Sequence, residues 1–376
     1  MKTLVSAAAA LALTASTAFA ADLKVGMITT LSGGGASLGI DVRDGFNLAV
    51  KQSGMDIEVI VEDDQRKPDI AVQLADKLIQ SEKVDVMTGI IWSNLLLAVA
   101  PSATRQGVFY LSPNAGASGM AGKGCHPNYF NVSWQNDDLP MASGTLANAD
   151  GLKKAFLMAP NYPAGKDMAK GYRRTYTGDV VGEVYTKLGQ KDYAAEIAQI
   201  RASGADHVFY FLPGGMGIAF IKQYVNSGVD IPLTGTAFNF DQGILQAVGE
   251  AAVGIKNTSQ WTPDLDNAAN KAFVESFQAE YGRIPSLYAS QGFDTANLLV
   301  SALKKAKPGD KDAFREAIRA ADFAAVRGDF KFSANHHPIQ DIYVREVIKA
   351  GDVYTNKLVG VAVEDHVNPY VGDCKM

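Results

Sequence analysis

From Leu23 onward the chain alternates short apolar runs with amphipathic stretches of helical period, and that alternation constrains the fold more than any other feature. Leu23 to Thr29 reads as a buried strand, Gly39 to Gln52 as a helix with Phe46 and Val50 on one face, and Ile57 to Val61 as a second strand. Pro68 opens the next helix, which carries Ala71, Ala75 and Leu78 at helical spacing. Strand Val84 to Met87, helix Ser93 to Arg105 and strand Val108 to Leu111 continue the pattern. Repeated β and α elements predict a parallel sheet with right-handed crossovers. After the polar stretch Gln135 to Asp138 a second set begins. Its strands are expected at Lys154 to Met158, Val180 to Val184, His207 to Phe211, Ile231 to Leu233 and Val253 to Ile255. Its helices lie near 164–176, 193–203, 215–226 and 241–248. Helices at Asn267 to Tyr281, Pro285 to Lys305 and Asp310 to Ala320 then precede strands at Ile342 to Ile348 and Val353 to Val361. If those helices return to the first sheet and the last strands join the second, the chain crosses between two doubly wound α/β lobes three times. Residues 21–138 and 263–340 then form lobe 1, and 139–262 and 341–376 form lobe 2. The 376 residues suffice for two such cores.

Residues 1–20 read as an export signal: Lys2 is basic, Leu4 to Leu13 is apolar, and Ala18-Phe19-Ala20 is a small-x-small cleavage site. A mature chain from Ala21 loses only Lys2 among the charges, leaving 34 basic against 40 acidic residues, or −6 instead of −5. An acidic balance offers no field for phosphate backbones, so nucleic acid is not expected as a partner. Cys125 and Cys374 are the two cysteines of an exported chain and allow one intramolecular pairing, so a bridge between them is predicted. His336 and His337 are adjacent, share no helix face and are read as surface or hinge residues; no metal site or cofactor is implied.

Open parallel sheets bind ligands beyond the carboxyl ends of their strands. The turns there are Leu31 to Gly39, Gly89 to Asn94, Ser112 to Gly116 and Phe211 to Gly215, rich in small residues that let backbone N–H groups approach an anion. Gly35-Ala36-Ser37-Leu38-Gly39 formally matches the nucleophile elbow G-x-S-x-G, but Ser37 follows the first mature strand, before any sheet could support an elbow. An esterase using Ser37 is the enzyme alternative, and it is not favoured. Neither G-x-G-x-x-G nor a phosphate-binding loop occurs. Trp92, Tyr162, Phe211, Phe238, Phe240 and Phe293 gather near predicted strand ends and suggest a flat apolar pocket.

Several ordered features resemble the leucine/isoleucine/valine-binding family of type I periplasmic solute-binding proteins of ABC importers. They are Lys24-Val25-Gly26 with Leu31-Ser32-Gly33 and Leu38-Gly39, Glu62-Asp63-Asp64 before Pro68, Ser112-Pro113, Ala159-Pro160-Asn161-Tyr162 with Gly165, and Gln291-Gly292-Phe293-Asp294. The resemblance implies two α/β lobes joined by three hinge crossovers, a monomer, an interlobe ligand and an inner-membrane permease as partner. It places a ligand carboxylate at turns resembling Trp92-Ser93 and Asn114-Ala115-Gly116, with walls from Leu38, Tyr162, Pro213 and Phe293, and with Phe211, Phe238 and Asn239 in the facing turns. Amino-acid binders of the family hold the ammonium with an acid from the turn resembling Gly235 to Phe240; here Phe238 and Phe240 stand there, and Asp241 is expected to cap the following helix. A buried charge without its partner costs about 3 to 5 kcal/mol. Burying an aromatic ring yields about 4 to 6 kcal/mol, and each charge-assisted hydrogen bond adds about 1.5 to 3. The expectation is therefore a benzoate-like or phenylpropanoid carboxylate. A branched-chain or other apolar amino acid is the alternative ligand, and a ligand sensor of the same fold the alternative role.

Overall fold

The computed structural model describes residues 21–376, so the export segment at 1–20 lies outside the described residues. The first lobe runs β1 (Leu23–Thr29), α1 (Ala36–Ser53), β2 (Ile57–Asp63), α2 (Pro68–Gln80), β3 (Val86–Thr88), α3 (Ser93–Arg105), β4 (Phe109–Ser112), α4 (Ser118–Ala121) and β5 (Tyr129–Asn131). Its five strands are parallel in the order β2-β1-β3-β4-β5. β1 and β3 are apolar almost throughout because helices cover both faces of such a sheet. α3 buries Leu95, Leu96, Val99, Ala100 and Ala103, one stripe of a 3.6-residue period.

The second lobe runs α5 (Asp138–Ala149), β6 (Lys154–Pro160), α6 (Pro163–Thr175), β7 (Asp179–Thr186), α7 (Ala194–Ala202), β8 (His207–Tyr210), α8 (Gly215–Asn226), β9 (Leu233–Thr236), α9 (Gln242–Val248) and β10 (Lys256–Ser259). Next come α10 (Ala268–Tyr281), α11 (Leu287–Leu303), α12 (Lys311–Arg319), β11 (Lys331–Phe332), β12 (Pro338–Ala350) and β13 (Val353–Val367). Strands β7-β6-β8-β9-β10 are parallel, but β12 joins β10 antiparallel, and β11 and β13 flank β12 antiparallel. The expected parallel sheet thus gains an antiparallel edge. The β12–β13 pair has a local cause: the two strands are joined by the two-residue turn Gly351-Asp352, and so short a link permits only an antiparallel pair.

The helix run does return to the first lobe. α11 lies against α1 so closely that a Cβ on Gly45 would strike the carbonyl oxygen of Ala289, and one on Gly292 that of Val42. β12 is itself a crossover, pairing Pro338 with Phe332 at one end and Tyr343 with Ser259 further on. Arg327 ties two crossovers together: Nε donates to Asp294 at 3.0 Å, while Nη1 donates to the carbonyl of Val132 at 2.7 Å and to Gln340 at 3.1 Å. The tail then comes back to the first lobe through the Cys125–Cys374 disulfide, as predicted.

His336 and His337 do lie in this last crossover, but neither is a surface residue, with 5% and 0% of their areas exposed. The His336 ring stacks on Phe130, centroids 4.1 Å apart, which the adjacent-pair reading could not foresee.

Candidate ligand-binding site

A pocket opens where the carboxyl ends of both sheets meet. Nine sequence-predicted residues line it: Leu38, Trp92, Ser93, Asn114 and Ala115 from the first lobe, and Tyr162, Phe211, Pro213 and Phe238 from the second. Each stands in a strand-to-helix turn or the first turn of the helix that follows, where the chain leaves the sheet toward the cleft.

Two helices begin at the wall. Ser93 opens α3 and Ala164 lies in the first turn of α6, and neither helix has a side-chain cap. The first amides of such helices have no partner within the helix, and its dipole favours negative charge. A carboxylate suits this end of the pocket. The Ser93 hydroxyl accepts from Asn136 Nδ2 at 3.1 Å, and that amide also donates to Asp167 at 2.9 Å. Burial pushes the Asp167 carboxyl upward, and the O–H and N–H of Ser118 together with Asn136 pull it back.

The remaining walls are aromatic. Trp92 is held by a bond from Nε1 to Thr30 Oγ1 at 2.9 Å, and Thr30 in turn donates to Asp64 at 2.7 Å. Tyr162 stacks near Phe211 with planes 14° apart, and Phe211 meets Phe238 edge-on at 86°. Burial drives the Tyr162 and Tyr288 hydroxyls far above the usual phenol range, so both stay protonated and able to donate. Trp134 Nε1 and Asn114 Oδ1 are buried with no partner among the described residues, leaving a donor and an acceptor in wall residues.

Asp241 is turned to another use. Its Oδ1 accepts from the amides of Gly243 at 2.8 Å and Ile244 at 3.3 Å, capping α9 as expected. Burial raises its carboxyl to about 7, and it is not among the pocket-lining residues. None of those lining residues is acidic.

Three predicted residues lie outside the lining. Gly116 sits behind the wall, where its carbonyl accepts from the Asn136 amide at 2.8 Å and a Cβ would strike the Trp134 carbonyl oxygen. Asn239 braces two turns, accepting from the Leu212 amide at 2.8 Å and donating to the carbonyl of Tyr210. Phe293 packs on Phe273 with centroids 4.6 Å apart. Six lining residues escaped the sequence reading: Ile91, Trp134, Asn136, Ala164, Met168 and Tyr288. Ile91 and Ala164 adjoin residues that were named, so the turns themselves were a usable signal. Among the described residues, no group of three His, Cys, Asp or Glu side chains is placed to hold a metal ion. No described helix is long and apolar enough to cross a membrane.

Two α/β lobes, three crossovers and a pocket between strand ends define a solute-binding protein of an ABC importer, the component that delivers its ligand to the inner-membrane permease. Residues 22–352 match the periplasmic binding protein family, and the chain belongs to it. A solute-binding protein of an R. palustris ABC transporter, crystallised with benzoate, is 35% identical, with a TM-score of 0.90 over 94% of this chain and 99% of that one. Another, from Rhodopseudomonas palustris BisB5 in complex with 3,4-dihydroxybenzoic acid, is 28% identical, with a TM-score of 0.83 over 91% of this chain and 98% of that one. Leu/Ile/Val-binding protein homolog 6 of Brucella melitensis is 29% identical over 374 residues, 95% of each chain.

Proposed function

We propose that this protein captures a small aromatic carboxylate of the benzoate or phenylpropanoid class in the interlobe pocket. Leu38, Trp92, Ser93, Asn114, Ala115, Tyr162, Phe211, Pro213 and Phe238 form the binding set, joined by Trp134, Asn136 and Tyr288. The carboxylate sits at the start of α3 and the ring lies among Trp92, Tyr162, Phe211 and Phe238. The observation that carries the reading is the pairing of uncapped helix starts with a lining free of acidic side chains, while Asp241 is spent on α9. An ammonium entering this pocket would lose its hydration without gaining a counter-charge. The benzoate and dihydroxybenzoate complexes of the two similar structures support the same class.

Residues 21–138 with 263–340 and 139–262 with 341–376 act as the two bodies that close on the ligand, turning about the three crossovers. The mature protein begins after Ala20, works in the periplasm as a monomer and performs no covalent chemistry. Ser37, in the first turn of α1, lies outside the lining of this pocket and is given no role in binding there. Titration calorimetry with benzoate, 4-hydroxybenzoate and leucine tests the ligand class. Uptake of the aromatic acids with no heat from leucine is expected; tight leucine binding with silent benzoates would overturn it.

A further inference from the structure

We propose that Asp167 and Asn136 are positioning residues which, once the lobes close, aim the Ser93 hydroxyl at the ligand carboxylate. The inference rests on the reading that a carboxylate sits at Ser93. Asn136 Nδ2 has two hydrogens and spends both, one on Ser93 Oγ at 3.1 Å and one on Asp167 Oδ2 at 2.9 Å. Asp167 is filled by donors: the Ser118 amide reaches Oδ2 at 3.1 Å and the Ser118 hydroxyl reaches Oδ1 at 2.7 Å. A carboxylate so surrounded admits only the N–H side of Asn136, which fixes the orientation of that amide. Ser93 Oγ must then accept from Asn136, and its one hydrogen is left for a partner in the pocket that Ser93 lines.

The elements involved make this arrangement conditional on closure. Ser93 and Ser118 open α3 and α4 of the first lobe, whereas Asp167 lies on α6 of the second. Asn136 stays with the first lobe through its amide bond to the Gly116 carbonyl at 2.8 Å. Opening withdraws Asp167, and Asn136 becomes free to turn its carbonyl toward Ser93 and take the hydroxyl hydrogen for itself. Closing restores the outward-pointing donor. Ser93, Asn136 and Asp167 are all buried where the two lobes meet, so closing over an empty pocket leaves the hydroxyl hydrogen without an acceptor. The network thus links closure to the presence of a carboxylate.

A double-mutant cycle read by calorimetry with benzoate tests this, using Ser93→Ala, Asn136→Ala and the double variant. Asn136→Ala is expected to weaken binding about tenfold alone and no more than about threefold beside Ser93→Ala. Asp167→Ala should weaken binding, and Asp167→Asn, which still offers Asn136 an oxygen, should restore most of it. Equal losses with and without the Ser93 hydroxyl, or no rescue by Asp167→Asn, would make these residues mere interlobe contacts and overturn the proposal. If the wild-type protein ignores benzoate but takes up leucine, the ligand class fails, and the same cycle run with leucine, which also carries a carboxylate, still decides the inference. A chain that binds neither overturns both.

Discussion

Trp134 and Phe238 meet across the pocket with ring centroids 4.5 Å apart and planes inclined at 50°, one carried by the segment after β5 and the other by the turn after β9. Each lobe therefore supplies half of one aromatic wall, and the wall is complete only when the halves are together. Phe238 lines the pocket among uncharged neighbours, which makes Phe238→Glu the most direct test of ligand charge. The new carboxylate would be buried beside that of the ligand, and an unpaired buried charge costs about 3 to 5 kcal/mol. Benzoate affinity should fall at least about a hundredfold. A gain in benzoate affinity instead would mean that the pocket was built for cations.

The strands and the site turns were largely legible because buried parallel strands and amphipathic helices write their periods into the sequence. β1 and α3 coincide with their expected bounds. α5 was not legible: it buries Asp138, Leu139, Pro140, Ala142, Ser143, Gly144 and Ala147, so no single apolar stripe distinguishes it. β10 was expected at Val253 to Ile255 but lies at Lys256–Ser259, a polar stretch whose buried side chains are satisfied individually. Asn257, for example, accepts from Arg345 at 2.9 Å, and Thr258 donates to the Leu139 carbonyl at 2.9 Å. Trp134 and Tyr288 were missed for related reasons. One follows a three-residue strand, and the other lies in α11, buried along nearly its whole length. Phe293 illustrates the converse, an aromatic near the cleft already engaged by Phe273.

Arg66 of the first lobe bridges toward the second. Its guanidinium lies 5.5 Å from the Trp92 ring, and a Cβ built on Gly189 would come within 2.7 Å of its Nη2. Gly189 also holds φ at +88°, a conformation that side chains disfavour. Gly189→Val should therefore hinder closure and weaken benzoate binding about tenfold. Arg66→Ala clears the obstruction, so adding Gly189→Val to it should cost less than about threefold, apart from the backbone strain of about 1 to 2 kcal/mol that unliganded melting would report. The same affinity loss with and without Arg66 would rule out the clash as the cause.

Cys125 and Cys374 are 249 residues apart in sequence, so their bridge removes a large loop entropy from the unfolded chain. Replacing both by serine should cost about 2 to 5 kcal/mol. The melting temperature should fall by about 4 °C or more. Neither cysteine lines the pocket, so the benzoate Kd should stay within about threefold of wild type. An unchanged melting temperature would mean that Asn335, whose Nδ2 donates to Asn368 Oδ1 at 3.1 Å and to the carbonyl of Ala121 at 2.7 Å, holds the tail without the bridge.

His336 and His337 give stability a definite pH dependence. Burial lowers both to about 4 from the ordinary 6.5, with Arg319 and Arg315 adding to the effect at His336 and His336 itself at His337. Backbone carbonyls of Tyr129 and Asn335 oppose the shift without reversing it. Between those two values the folded chain keeps both rings neutral while the unfolded chain protonates them, so the unfolded state binds more protons there. The sign follows: this stability is fully present above pH 6.5 and is lost progressively toward pH 4. Each ring should account for about 1 to 3 kcal/mol of the loss. His366 has the opposite sign. Burial pulls it down, but Asp138, 2.9 Å from Nε2, outweighs burial and raises it, so its contribution is in place below the ordinary value of 6.5 and fades as pH climbs through the raised folded one. Asp241, raised by burial to about 7, also works against the two rings, since its contribution grows as pH falls. The histidine share is therefore read as the difference between melting profiles of the wild type and His337→Phe from pH 8 to 4; the variant, which keeps a ring and removes one titrating group, should be relatively more stable on the acid side by about 1 to 3 kcal/mol. An acid slope unchanged by His337→Phe would show that other groups carry it.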